Sequence, residues 1–223
     1  MQNITSFDQE QMASFIERMP DTKSVTQFKE SPEIKRLSLK FDIDELRKAV
    51  DSISKNETEN GFTSLGSGFH AISLSRRPGA TEETANDLSG RYYMRTDESM
   101  IEEPREDLVQ EIEFSEFNSN YQGSYFEYVH QELSKLFPIG RMRILMKDQY
   151  NCNSWHRDPE PRLHIPIYTN PGSLFIVNHH CTHMPADGSV YFTDTRGYHM
   201  AVNGGETQRI HIVAALAYPP ITE

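Results

Sequence analysis

Residues 162–217, RLHIPIYTNPGSLFIVNHHCTHMPADGSVYFTDTRGYHMAVNGGETQRIHIVAALA, decide the fold. Short runs rich in Ile, Val, Leu, Tyr and Phe are separated by Asn-Pro-Gly, Asp-Gly and Asn-Gly-Gly, residues that turns require. From Arg141 onward, extended segments are expected at 141–150, 162–168, 173–178, 189–193, 197–203 and 208–217. Many short strands at close spacing predict a sandwich or barrel, a mainly β domain of the α+β class, with the preceding helices covering one sheet.

Upstream the pattern changes period. Met12, Phe15, Ile16 and Met19 recur at helical spacing behind Ser6-Phe7-Asp8-Gln9, a capping box, and Pro20 stops the run. Asp42 caps a second helix with Glu45 three residues on, and Ile43, Leu46, Val50 and Ile53 form its buried stripe. Ser124-Tyr125-Phe126-Glu127 opens a third, carried by Val129, Leu133 and Leu136 to Pro138. Residues 1–40 are therefore expected as an N-terminal helical extension and 41–223 as one domain. A strand is expected from Phe69 to Ser75. The stretch 76–106 is too long for a simple connector and is either a cover over the substrate side or disordered.

Within the strand-rich half stand His156-Arg157-Asp158, Arg162-Leu163-His164, His199 and Arg209. In an extended chain His156 and Asp158 leave the same side and can hold one ion. Two imidazoles and a carboxylate on one face of a metal suit a non-haem Fe(II) oxygenase, which keeps the opposite face for its reactants. Roughly one His-x-acid triplet arises by chance at this composition, so the triplet alone says little. Its conjunction with a later His and Arg says more. Asn203-Gly204-Gly205-Glu206 reads as a tight hairpin with positive-φ residues, which would make His199 and Arg209 cross-strand neighbours within one residue of register.

These residues resemble the aspartyl/asparaginyl β-hydroxylase-like branch of the Fe(II)- and 2-oxoglutarate-dependent dioxygenases, a branch that includes the free-proline cis-hydroxylases. The resemblance covers about residues 140–218. It is carried by Trp155-His156-Arg157-Asp158, Arg162-Leu163-His164-Ile165-Pro166-Ile167, Asp187-Gly188-Ser189-Val190-Tyr191-Phe192-Thr193-Asp194, Tyr198-His199 and Arg209-Ile210-His211-Ile212-Val213. It implies a double-stranded β-helix, the jelly-roll or cupin-like core. It also implies iron held by His156, Asp158 and His199, with Arg209 on the distal carboxylate of 2-oxoglutarate and Arg162 and His164 lining the cosubstrate pocket. Retention of Asp158, where some members carry glycine, implies the hydroxylating site and not a halogenase-like one. The implied reaction consumes O2 and 2-oxoglutarate, yields succinate and CO2, and hydroxylates a C–H bond.

The expected substrate is a free amino acid or similar small polar metabolite, because the chain is short and carries no evident docking module. Hydroxylation of an Asp, Asn or other residue in a protein or peptide is the alternative, and a cupin-like metal-binding or sensing protein without turnover is the alternative from another class. Arg91, Tyr93 and Arg95 share one face of an extended stretch and could hold a substrate carboxylate; two solvated arginines around core tyrosines are the plainer alternative. His179 is a further substrate-side candidate. The cluster His179-His180-Cys181-Thr182-His183 could in principle hold zinc, but a second ligand pair is missing. His211 reads as a satisfied core histidine.

Composition bounds the rest. The 223 residues suit one core. With 22 Lys+Arg against 33 Asp+Glu the net charge is −11, which disfavours a nucleic-acid partner. No signal-like or membrane-length apolar run is evident, and two cysteines make no disulfide framework, so a cytoplasmic protein with reduced thiols is expected.

Overall fold

The computed structural model describes residues 6–18, 27–56, 62–66, 68–80, 93–95, 102–104 and 109–217. In chain order its elements are α1 (Ser6–Glu17), β1 (Ile34–Lys40), α2 (Ile43–Asn56), β2 (Thr63–Ser64), β3 (Phe69–Ser73), β4 (Ser75–Arg76), β5 (Tyr93–Arg95) and β6 (Glu102–Pro104). Then come β7 (Glu116–Phe117), α3 (Tyr125–Leu136), β8 (Ile139–Lys147), β9 (Asn151–Cys152), β10 (His156–Arg157), β11 (Arg162–Tyr168), β12 (Ser173–Val177), β13 (His180–Thr182), β14 (Ser189–Thr193), β15 (His199–Asn203) and β16 (Arg209–Leu216). The strands form two antiparallel sheets. The first runs β1-β14-β11-β16-β8-β3-β2, and the second runs β13-β12-β15-β10-β5-β6 with β9 also on β15; β4 and β7 pair separately.

The first sheet has two unlike faces because side chains alternate along a strand. Ile210, Ile212 and Ala214 of β16, Met142, Ile144 and Met146 of β8, and Leu163, Ile165 and Ile167 of β11 join one apolar core. Into it α2 inserts Leu46, Val50 and Ile53, and α3 inserts Phe126, Val129 and Leu133. The opposite face carries Arg209 and His211 of β16, which pair across the sheet with Lys147 and Leu145 of β8. This face meets the second sheet, where Tyr191 shares one buried cluster with Phe175, Val177 and Ala201. Pro166 sits in β11 beyond His164, the last residue paired to β14, so the hydrogen bond its ring nitrogen cannot donate is not required on that side.

Several expectations need correction. Asn203 to Gln208 is not a hairpin: β15 pairs with β12, β10 and β9, whereas β16 pairs with β11 and β8, so the chain crosses between sheets. His199 and Arg209 are therefore not cross-strand neighbours. Positive φ is absent at Gly204 and Gly205. Space is what matters there: a Cβ on Gly205 would stand 1.9 Å from Asn170 Oδ1. Asn203 then ties the crossover down, its amide donating to the carbonyls of Asp148 (2.8 Å) and Thr207 (2.9 Å).

The sheet also begins before residue 41, since Ile34–Lys40 pairs with β14 in a region expected to be a helical extension. Its charged Lys35, Arg36 and Lys40 suit an edge strand. In α1, Met12, Phe15 and Ile16 are exposed and cover no core. Asp42 caps α2 as expected, Oδ1 accepting from the amides of Asp44 and Glu45. Ser124 does not cap α3; its hydroxyl donates back to the Tyr121 carbonyl, and Leu136 is exposed. Among the described residues no helix is long and apolar enough to cross a membrane.

Candidate metal centre

His156 and His199 are directly paired residues of β10 and β15, and their rings lie 4.2 Å apart between centroids. Each Nδ1 faces a carbonyl, Ser154 at 2.7 Å for His156 and Gly197 at 3.1 Å for His199. A carbonyl only accepts, so Nδ1 carries the hydrogen in both rings and each Nε2 offers a lone pair. Both Nε2 atoms turn toward Asp158, 3.9 Å from Oδ1 for His156 and 3.6 Å from Oδ2 for His199. All three residues are buried, and their ligand atoms lie within 4.8 Å of one another.

Local structure fixes Asp158 just beyond β10. Its amide donates to the Thr195 carbonyl at 2.9 Å, and the Thr195 hydroxyl donates to the Glu160 carbonyl at 2.6 Å. The segment that positions the carboxylate is thereby fastened to the one that leads into His199. Asp158 Oδ1 is buried without a hydrogen-bond partner, as an atom meant for an ion would be. The donor set, two neutral imidazoles and a carboxylate, fits a divalent transition metal.

Basic side chains stand around the triad. Arg209 is buried, and its Nη2 donates to His211 Nδ1 at 2.9 Å, the one hydrogen bond it makes among the described residues. No carboxylate pairs with it among the described residues, and burial alone pulls its pKa down to about 9. Accepting that bond leaves His211 with its hydrogen on Nε2, which has no partner. His164, whose ring packs 5.0 Å from Phe175 and 6.0 Å from His211, has neither ring nitrogen hydrogen-bonded. Burial, then the charge of Arg209, holds both His164 and His211 well below the ordinary histidine range, so both are neutral. Lys147, paired in register with Arg209, donates to Asn151 and Asn153, and burial with the nearby Arg209 lowers its pKa to about 7.

Arg162, expected to line the cosubstrate pocket, is bonded to two carboxylates. Its Nε donates to Asp158 Oδ2 and its Nη1 to Glu111 Oε1, both at 3.1 Å, leaving Nη2 unpaired. Arg143 lies on the same inner face, feels the charges of Glu111, Arg162 and Asp158, and pairs with no carboxylate among the described residues. Burial holds its pKa below the ordinary range.

Among the remaining candidates, Arg91 lies outside the described residues, as does most of 76–106. Tyr93 and Arg95 are placed by backbone only. Tyr93 pairs with Arg157, and Met94 pairs with His156, so β5 flanks the metal centre. His179 is exposed on the turn between β12 and β13. His180 and His183 are bonded to the Lys29 and Ser173 carbonyls, both at 2.8 Å, and with Cys181 they assemble no ligand cluster among the described residues. Cys152 and Cys181 are free and exposed.

Sequence reasoning missed Glu111, Arg143 and Lys147, and took His211 as satisfied. For Glu111 no local signal existed, because its partner is 51 residues away. Arg143 and Lys147 were readable in hindsight from their alternation with Met142, Ile144 and Met146.

No protein-family model matches the chain, and no curated protein does. Similar solved structures include a 2OG-Fe(II) oxygenase family oxidoreductase from Burkholderia pseudomallei, 14% identical over 82% of this chain and 83% of that one, with a TM-score of 0.49. AviO1 from Streptomyces viridochromogenes is 14% identical over 86% and 92%, with a TM-score of 0.48. A prolyl-4-hydroxylase from Pseudomonas putida is 8% identical over 84% and 93%, with a TM-score of 0.46. At such distances the site must be read from its own geometry.

Proposed function

We propose that the protein is an Fe(II)- and 2-oxoglutarate-dependent oxygenase that hydroxylates a C–H bond of a small polar metabolite, a free amino acid being the leading class. The two facing sheets are then read as a double-stranded β-helix with the metal between them. His156, Asp158 and His199 would hold iron, which supplies the redox chemistry for O2 when bound. Everything else is placement. Ser154 and Gly197 orient the two imidazoles, and Thr195 orients the carboxylate.

The observation that carries this reading is Arg209. A buried guanidinium whose one bonded partner among the described residues is a neutral imidazole calls for an anion, and a planar fork suits a carboxylate. His211 Nε2–H and the unpaired nitrogens of His164 supply further polar partners within the same pocket. A metal-binding protein without turnover would have no use for such an anchor. Charges agree with a dianionic cosubstrate: Fe²⁺, Asp158, 2-oxoglutarate and Arg209 sum to zero, while Arg162 and Glu111 offset each other. Arg143, which feels Glu111 and Asp158 but pairs with no carboxylate among the described residues, favours a substrate that carries its own negative group.

The test is incubation of the purified protein with Fe(II), ascorbate, 2-oxoglutarate and metabolite pools while succinate is followed. One pool should raise succinate, and His156→Ala or His199→Ala should abolish the increase. Absence of succinate with every pool, together with absence of one-to-one iron binding, would sink the proposal.

A further inference from the structure

We infer that Glu111 is a positioning residue for the metal's carboxylate ligand. Through Arg162 it holds Asp158 Oδ2 and offsets the guanidinium's charge, so that Oδ1 and its negative charge remain available to the ion. The inference rests on the metal-binding reading above.

Glu111 is 1% exposed and stands on a one-turn 3-10 helix, Glu111–Glu113, far in sequence from every other site residue. A buried carboxylate is costly unless paired. Its Oε1 accepts from Arg162 Nη1 at 3.1 Å, and Arg162 Nε donates to Asp158 Oδ2 at 3.1 Å, so the three groups form one chain ending at the metal centre. Arg162 is itself 3% exposed. Burial pushes its pKa down, but Glu111 and then Asp158 outweigh that and hold it above the ordinary value.

The consequence is a matter of charge. Were Arg162 bonded to Asp158 alone, the pair would be neutral, and a dication would compete with the guanidinium for one carboxylate. With Glu111 present the triplet keeps one net negative charge. Geometry adds a second effect: because Oδ2 is occupied by Arg162, Asp158 presents one oxygen, which leaves one more coordination position for reactants than a two-oxygen carboxylate would. The fold builds the seat deliberately. Gly140 at the start of β8 lies so close under the turn that a Cβ there would stand 2.5 Å from the Glu111 carbonyl oxygen.

The test uses Mn(II), an oxygen-stable probe, titrated calorimetrically into the full-length wild type, Glu111→Gln, and Glu111→Gln combined with Arg162→Gln, with circular dichroism confirming the fold. The single variant keeps the shape and loses the charge. It should bind Mn(II) about 10- to 100-fold more weakly, the usual effect of losing an outer partner of a metal ligand. The double variant, which restores the net charge, should recover most of the affinity. A merely structural role would lower the melting temperature and leave the affinity of folded protein unchanged.

Equal affinity in wild type and Glu111→Gln overturns the inference, and so does an equal loss in single and double variants. If the single variant folds poorly, the double is compared with wild type alone, and a loss above about tenfold there overturns it. Wild type that binds no Mn(II) overturns the metal reading first and this inference with it.

Discussion

Replacing Arg209 by Met should make the ligand-free protein more stable and blind to 2-oxoglutarate. Burial lowers the Arg209 pKa to about 9, with no opposing charge among the described residues. A guanidinium stays protonated in proteins, so that difference appears as instability of the folded state and not as proton loss. At roughly 1.4 kcal/mol per pH unit, a depression of this size corresponds to at most about 5 kcal/mol. Methionine fills much of the same volume without charge. It leaves His211 Nδ1, now bonded at 2.9 Å, without its donor, which costs about 1–3 kcal/mol. The net expectation is about 2–4 kcal/mol of added stability. For a chain of this size that raises Tm by roughly 5–15 °C.

Differential scanning calorimetry reads both arms, with Mn(II) present and 2-oxoglutarate varied. Wild type should gain about 2.7 kcal/mol at a hundredfold excess over Kd, and the variant should gain nothing. Arg209→Lys keeps the charge but not the fork, and should weaken cosubstrate binding by about 1.5–3 kcal/mol while metal affinity holds. A methionine variant that melts below wild type and still responds to 2-oxoglutarate would refute the reasoning: the guanidinium would then have a counter-charge within the protein, and the anchor would lie elsewhere.

Other expectations follow from the same geometry. Asp158→Ala should lower the iron bound per chain, measured by metal analysis after anaerobic dialysis, and abolish hydroxylation even where residual iron remains. His164 and His211 have folded pKa values well below the ordinary 6.5, so below pH 6.5 the unfolded chain binds more protons and stability falls as pH drops. Each contributes up to about 1.4 kcal/mol per pH unit, and urea titrations of His211→Gln across pH 5–7 should show a shallower slope than wild type. Lys147 acts in the opposite range: its folded value of about 7 against an ordinary 10.5 means stability rises with pH through that window, an effect that Lys147→Met should remove. Leu46→Ala empties a fully buried position where α2 meets the first sheet, and should cost about 2–5 kcal/mol in chemical denaturation without changing Mn(II) affinity.

The residues most legible in the sequence are those whose partners are local or whose periodicity is strict. Asp42 announces α2 because its side chain bonds the amides two and three residues on. The strands at 162–168 and 189–193 are bounded as expected because turn residues flank apolar runs. His156 and Asp158 are readable as a pair because extended spacing alone puts them together. What misleads is a local signal overruled at long range. Gly204-Gly205 has the chemistry of a hairpin, yet β16 lies between β11 and β8, where Ile210, Ile212 and Ala214 join the apolar core. Ile34–Lys40 hides as polar chain because an edge strand carries lysine and arginine on its open side. The Glu111–Arg162 pair is invisible for a simpler reason: nothing near either residue refers to the other.

The two-faced character of β16 bears on which genetic lesions the protein can survive. Odd-numbered Arg209 and His211 serve the pocket, while even-numbered Ile210, Ile212 and Ala214 serve the helix-side core. Substitutions at the two sets therefore sort into separate phenotypes, lost turnover in one and lost yield in the other. Deleting the codon for Arg209 or Ile210 does both at once, since every later side chain changes sides and an aliphatic stripe turns to the inner face while His211 enters the core. An insertion in the crossover at 204–208 leaves the register of β16 intact but disturbs the Gly205–Asn170 approach and the Asn203–Thr207 hydrogen bond, so it should cost yield and keep the order of the pocket residues.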